Sequence, residues 1–480
     1  MKTFRIFTVA ALCSLLVSCS DDFLKLAPLS SMNENSFYET AADFETAMVS
    51  VYATLYNEYG PNSGMSLSEL MSDECLVYSG KVLGGGGISA TDFFPFHDYS
   101  LLPSNSGVSS FWNTTYSDLN RINKTLDKLV ETEFGSTAKG MQYQGALRFF
   151  RGLYHFNLMR LFGPIPIVDH SLTVEESYTI GRSSEAEVYQ FIIQDLVFAR
   201  DNLPVKSKIS KTGEVTKGAA ETCLGEVYLT MGDKTNAASV LNSVITSNEY
   251  GLMENYADLW DMSKKNNRES ILEVQQVAGA GNPSSPYFER YAPFENFYLT
   301  AQGGGINQVS DILWDSYEPD DPRRDLSIFP GYTNGSGLWI DIKFEHKWYD
   351  DNYLKNGSYY FGNNFIVYRY ADVLLMYAEA TGDASYLNQV RKRVGLPGFG
   401  EAGYPADKYP TLALAIEHER NVELALEFHR FFDLKRTGRA SAVFSAAKGK
   451  NISDKMLILP IPQNVIDQNP DLIQQNEYYK

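Results

Sequence analysis

The chain runs to 480 residues with 41 basic and 59 acidic side chains, a formal net charge of −18. Such acidity argues against nucleic acid or anionic lipid as a partner, because phosphate binding needs concentrated Lys and Arg. Length alone suggests about three domains, yet residues 30–480 hold no Pro/Ser-rich linker, charge block or low-complexity run, so one large interwoven unit is expected.

Lys2 and Arg5 open the chain and an apolar stretch over 6–17 follows. That is the length of a signal-peptide core and too short to span a bilayer. It ends in Leu16-Val17-Ser18-Cys19, which resembles a lipobox with Cys19 as the acylated residue. Acyl chains supply about 0.8 kcal/mol per buried methylene, so a multiply acylated cysteine holds a protein on a membrane without a transmembrane helix. No later segment approaches 18 consecutive apolar residues. Removing 1–18 takes away two basic residues and no acidic one, so the mature charge is more negative still. Ser20-Asp21-Asp22 resembles a surface-export signal; the plainer alternative is the polar start of a tether over 19–35.

Thr40 with Asp43 reads as a capping box opening a helix to about residue 59. Further helices are expected over 116–129 and 142–161, the latter with Ala146, Phe149, Phe150, Leu153, Asn157 and Leu161 on one stripe and Gly163-Pro164 stopping it. Ser184 with Glu187 is a second capping box. Segments 217–231 and 234–247 form a helical hairpin turning at Gly232-Asp233, with small residues near its start and an aromatic near its end, as in tetratricopeptide packing. Segments 371–380 and 385–394 look like a second hairpin. Cys223 falls inside the first and is expected to pack as a small apolar side chain; Cys75, Cys13 and Cys19 are the other cysteines. Glu419, Glu423 and Glu427 recur every four residues, lining one helix edge where Arg420, Arg430 and Arg436 can pair with them.

Two insertions, 80–111 and 278–365, carry little helical periodicity and are rich in Gly, Asn, Asp, Pro and aromatics, the composition of functional loops. Asp320-Asp321 and Asp350-Asp351 are candidate structural calcium ligands, against the plainer reading of solvated loop acids. No cofactor or metal site is otherwise implied. His-Glu-x-x-His, Gly-x-Ser-x-Gly and Walker A patterns are absent from the sequence, and His418 and His429, read on one helix, are three turns apart, too far to share a metal.

In order along the chain, Asp21-Asp22-Phe23-Leu24, Ala146-Leu147-Arg148-Phe149-Phe150-Arg151-Gly152-Leu153-Tyr154 running into Leu161-Phe162-Gly163-Pro164, Tyr368-Arg369-Tyr370-Ala371-Asp372, Val390-Arg391-Lys392-Arg393-Val394-Gly395, Glu419-Arg420-Asn421-Val422-Glu423 with Arg430-Phe431-Phe432-Asp433-Leu434-Lys435-Arg436, and Leu459-Pro460-Ile461-Pro462-Gln463 resemble the SusD/RagB family of surface nutrient-binding lipoproteins. The resemblance covers essentially 19–480. It implies a mainly α, SusD-like fold of tetratricopeptide-like hairpins with long irregular insertions and little β structure. A single domain over 36–480 is expected, with an N-terminal part over about 36–250 and a C-terminal part over about 265–480. The implied function is glycan capture at the outer membrane, facing the cell exterior, and delivery to a SusC-like TonB-dependent transporter, without catalysis. Alternatives are a peptide-binding relative and a surface glycoside hydrolase.

Sugars offer a flat C–H face to aromatic rings and a rim of hydroxyls to polar side chains. In SusD-like proteins the site uses the first insertion, here Phe94, Phe96, His97 and Tyr99, with an acidic residue from the preceding helix end, here Asp73. The second insertion adds Tyr287, Tyr291, Phe294, Tyr298 and Trp339. The absence of a tryptophan between residues 60 and 111 puts starch specificity in doubt and favours another glycan.

Overall fold

The structure, a computed structural model, describes residues 37–295, 303–350 and 360–480. Cys19 and Tyr298 lie outside the described residues. No helix among the described residues is long and apolar enough to cross a membrane.

Helix dominates. Helix α1 (Ala41–Tyr59) opens on the expected capping box, in which Thr40 accepts from the Asp43 N–H and the Asp43 carboxylate takes the Thr40 N–H at 2.8 Å. After α2 (Gly64–Met71), α3 (Ser106–Val130) starts ten residues before the expected 116, capped by the Asn105 side chain. Helix α4 (Ala138–Phe162) departs from the expected single stripe. Nearly every residue from Gln144 onward is buried, because α3, α5 (Glu185–Asn202) and the segment around Leu459 all pack on it.

Helices α6 (Lys217–Thr230) and α7 (Lys234–Thr246) form the expected hairpin, turning at Gly232 in the left-handed region with Asp233 as cap. Gly225 lets α7 approach so closely that a Cβ there would lie 2.4 Å from Leu241 Cδ2. The second hairpin, α8 (Tyr370–Thr381) and α9 (Ala384–Arg393), packs its first helix on α7 across more than a hundred residues of chain, so the two hairpins stack as repeats do. Helices α10 (Leu412–Glu423) and α11 (Arg430–Arg436) complete this layer. Cys75 and Cys223 are both free and buried.

The little β structure has a positioning role. Strand β1 (Cys75–Leu76) follows α2; β2 (Ser270–Val274) and β8 (Phe365–Arg369) pair antiparallel, so both ends of the second insertion leave from one ribbon. Within that insertion, β3 (Gln308–Val309), β4 (Ile328–Phe329) and β7 (Phe344–Glu345) join β1 in the order β1-β3-β7-β4, which ties the chain just ahead of the first insertion to the second, and the Leu83 N–H, donating to the Gly304 carbonyl at 2.9 Å, links the two insertions directly. Strands β5 (Tyr332–Thr333) and β6 (Trp339–Ile340) form a separate hairpin. Beneath them Phe288, Ala292, Tyr332, Phe344 and Phe361 make a small aromatic core of their own.

The expected glutamate edge is only partly a helix edge, and its cationic partners are different ones. Glu419 and Glu423 lie on α10, but Glu427 lies in the break after it, where its neighbours Leu426 and Phe428 both adopt positive φ. The same break separates His418 from His429, which do not share a helix. Arg323, from the second insertion, donates to Glu419 at 2.6 Å, Glu423 at 2.7 Å and Asp321 at 2.7 Å. Arg369 at the end of β8 reaches Glu269, Glu427 and Glu423; Arg393 reaches Glu269 and Glu423; Lys347 reaches Glu427 at 2.7 Å. Arg420 instead holds Asp433 and Asp372, Arg430 holds Asp73, and Arg436 holds Glu379 and Asp433. Burial opposes ionisation of Glu423, yet Arg393, Arg369 and Arg323 hold its carboxyl well below the usual range. The network thus ties the second insertion, through Arg323 and Lys347, to the helical body.

Candidate functional site

The first insertion is largely scaffold. Asp73 follows α2 as expected, but it is buried and accepts from Arg430 Nε at 2.9 Å and Nη2 at 2.8 Å, while its carbonyl takes the Ser310 hydroxyl. The segment expected to be irregular contains a short helix, Phe94–Asp98. Phe96 on it is wholly buried and meets Gly107 so closely that a Cβ there would lie 3.0 Å from the ring. Tyr99 is buried too and donates its hydroxyl to the Met71 carbonyl at 2.6 Å. His97 lies 2.8 Å from Lys448 Nζ, and burial, with the Lys448 charge beside it, pushes its imidazole down to about 4, so the neutral ring is the acceptor. Phe94 is half-buried against His97.

The second insertion divides in the same way. Tyr287 donates to the Tyr59 carbonyl at 2.9 Å and stacks on Trp348 and Phe365; Tyr291 packs on Trp348. Both rings are in the core. Phe96, Tyr99, Tyr287 and Tyr291 therefore have no solvent-facing ring to offer a ligand. A ring spent on core packing is not a platform, and the Tyr99 and Tyr287 hydroxyls are bonded to backbone carbonyls as well.

Other residues line an open recess of about 370 Å³ between the insertions. Tyr78 comes from the segment between β1 and the first insertion and Lys81 from that insertion; Phe294, Glu295, Gln308, Tyr332 and Asn334 come from the second. Tyr78 is 40% exposed and Phe294 half-buried, so two rings face solvent here. The wall is the β5–β6 hairpin, whose turn is held by Asn334 Oδ1 accepting from the Ser336 and Leu338 N–H groups at 3.0 Å. Tyr332 donates to the Glu295 carbonyl and so fixes the hairpin to the Phe294 segment. Side chains alternate along a strand: Ile340 lines the recess, whereas Trp339, paired with Thr333, stands on the outer face, 54% exposed. Gln308 donates from Nε2 to the Tyr291 carbonyl at 2.7 Å and keeps Oε1 without a partner. Lys81 and Glu295 are exposed.

Of the residues lining this recess, the sequence reading named Phe294 and did not name Tyr78, Lys81, Gln308 or Asn334. The available signals were the turn residues Ser79-Gly80 after Tyr78, and Asn334-Gly335 inside a Tyr/Trp-flanked hairpin. Of the acidic pairs considered for calcium, Asp321 spends both carboxylate oxygens on Arg323, and Asp351 lies outside the described residues. Among the described residues no cluster of three or more His, Cys, Asp or Glu is placed to share a metal ion.

Fold and recess together define a helical-repeat scaffold whose two stapled insertions present a shallow, ring-and-amide-lined site. Comparison with known proteins makes the class specific. Residues 22–229 match the family described as "Starch-binding associating with outer membrane", and residues 343–479 match the SusD family. SusD-like protein P2 of Formosa agariphila is 26% identical over 535 aligned positions covering 100% of both chains. A structure described as a laminarin binding SusD-like protein is 28% identical, with a TM-score of 0.78 over 92% of this chain and 100% of its own. Surface glycan-binding protein A from Bacteroides fluxus shares the fold at 23% identity and a TM-score of 0.77, over 92% of this chain and 100% of its own. The chain belongs to the SusD/RagB family.

Proposed function

We propose that this protein is a glycan-binding lipoprotein of the outer membrane. Acylated at Cys19 and facing the cell exterior, it captures an oligo- or polysaccharide in the recess between its insertions and passes it to a SusC-like TonB-dependent transporter. The observation that carries the reading is the recess itself: Tyr78 and Phe294 offer rings at solvent, while Asn334 and Lys81 offer hydrogen-bonding groups beside them. Sugar recognition requires that combination, and a shallow site with few contacts suits a receptor that must release its cargo. Trp339, close by on the outer face of the hairpin, supplies a further exposed ring. The role is capture without cleavage. Retaining and inverting glycosidases both need two carboxyl groups about 5–9.5 Å apart, and Glu295 is the one carboxylate among the described lining residues. Laminarin, the ligand in the description of a 28%-identical structure, is the first glycan to test.

The test is native electrophoresis of the protein lacking residues 1–19 through gels containing laminarin, other neutral polysaccharides or a peptide mixture. Retardation by a polysaccharide and not by peptides is expected. Retardation by peptides alone would replace the glycan with a peptide cargo.

A further inference from the structure

A second recess, of about 420 Å³, opens beside the first and shares the 81–86 loop with it. Its walls are the C-terminal end of α1 and the turn to α2 (Tyr56, Asn62), the glycines Gly85 and Gly86, α3 (Ser110, Thr114) and Arg290 on the short helix Tyr287–Tyr291. Lys81 and Gly85 are four residues apart, at most about 14 Å of extended chain, so one ligand can touch both recesses.

Arg290 is the unusual group. Buried arginines elsewhere in the chain hold carboxylates: Arg151 to Asp195, Arg323 to Asp321, Arg369 to Glu427, Arg420 to Asp372 and Arg430 to Asp73, at 2.6–2.9 Å. Arg182, which has no carboxylate, spends its donors on four oxygen acceptors. Arg290 does neither. Its Nη2 donates to the Leu83 carbonyl at 2.8 Å and weakly to Asn62 Oδ1 at 3.4 Å, and its Nε is buried with no partner. No carboxylate oxygen among the described residues lies within ion-pair distance of it; Glu289, its neighbour in sequence, is exposed to solvent. The guanidinium lies against Gly85, where a Cβ would meet Nη2 at 3.2 Å, so the loop covers it closely. Burial lowers the Arg290 pKa, and the Glu289 charge offsets this only in part. A half-buried cation without its counter-charge is costly unless a ligand supplies one.

We infer that this recess binds an oxyanion carried on a hydroxylated ligand, the carboxylate of a sugar acid or the sulfate ester of a sugar. Arg290 meets the charge, and Asn62, Ser110 and Thr114 face the hydroxyls. The inference stands apart from neutral-glycan capture in the first recess, because it rests on a different set of side chains.

The test is calorimetric titration of the protein lacking residues 1–19 with sodium glucuronate, glucose 6-sulfate, glucose and sodium sulfate at matched ionic strength. Saturable binding of glucuronate or glucose 6-sulfate is expected, with glucose at least tenfold weaker, and the stronger of the two anions identifies the group. Arg290→Gln should weaken that binding at least tenfold. Ser110→Glu, at a half-buried helix position, should do the same by placing a resident carboxylate in the recess that Arg290 lines, and both variants should still be retained by the neutral polysaccharide that retains the parent. The inference is overturned if neither sugar anion binds, if inorganic sulfate alone binds, or if either folded variant binds the anion as the parent does.

Discussion

Glu423→Gln tests the claim that a buried charge network holds the second insertion on the helical body. Glu423 is fully buried and faces three guanidinium groups, of Arg323, Arg369 and Arg393. Glutamine keeps one acceptor but removes the charge and turns an amide N–H₂ toward a cation, so at least one guanidinium loses its best partner. Breaking a buried pair by removing one member costs about 3–5 kcal/mol. Each arginine retains a second carboxylate: Asp321 and Glu419 for Arg323, Glu427 for Arg369, Glu269 for Arg393. The lower end, about 3 kcal/mol, is therefore expected at pH 7. The pH dependence follows in sign. Glu423 is ionised in the folded chain well below the usual range, whereas an unfolded glutamate titrates near about 4.3. The stabilisation is complete above that value and declines as pH falls from it toward the folded pKa, so the gap between parent and variant should narrow only below about pH 4. Urea unfolding of both proteins at pH 7, 5 and 3.5 measures it. A loss below about 1 kcal/mol at pH 7, the size of a surface pair, or a gap that already closes between pH 7 and 5, would refute the reasoning.

Glu58 carries the opposite sign. Burial raises its carboxyl to about 8, although Asn157 and Thr115 donate to it. The folded chain therefore holds a proton that the unfolded chain releases above about 4.3, and stability drains as pH rises from there to about 8. Glu58→Gln, which keeps both hydrogen-bonding partners, should match the parent near pH 4.5 and exceed it by roughly 2–4 kcal/mol at pH 8, as read by urea unfolding; equal stability at pH 8 would show that Glu58 is ionised when folded. Gly225→Ala puts a methyl 2.4 Å from the buried Leu241 Cδ2. Overpacking of about 1–3 kcal/mol should outweigh a helix-propensity gain near 1 kcal/mol, lowering the melting temperature; a rise would mean the two helices separate without cost.

The helical scaffold was legible because its signals are local. Thr40 with Asp43 and Ser184 with Glu187 announce helix starts by their spacing, and Gly232-Asp233 announces a corner. The start of α3 was not, since Gly107, Ser109 and Ser110 are weak helix formers, and what secures the first turns is long-range packing of Phe111 and Trp112 on Phe162. The glutamate spacing was visible, but its partners arrive from 30 to 100 residues away and no local pattern announces them. The loop aromatics misled for a related reason. Density of Phe and Tyr looks the same in sequence whether the rings face sugar or build a satellite core, and here Phe96, Tyr99, Tyr287 and Tyr291 belong to the core. Truncating Phe96 would cost about 3–5 kcal/mol of stability and says nothing about ligand.

The ring pair at the recess is the direct test of glycan capture. Binding of laminarin, or of whichever neutral polysaccharide retards the parent most, should be measured by calorimetry for the parent, Tyr78→Ala, Phe294→Ala and the double variant. Loss of base-to-ring stacking in nucleic-acid recognition costs about 1–3 kcal/mol per ring, and a comparable tenfold or greater weakening for each single variant, with binding abolished in the double variant and the melting temperature within a few degrees of the parent, is the predicted result. Unchanged affinity in the folded double variant would contradict the account.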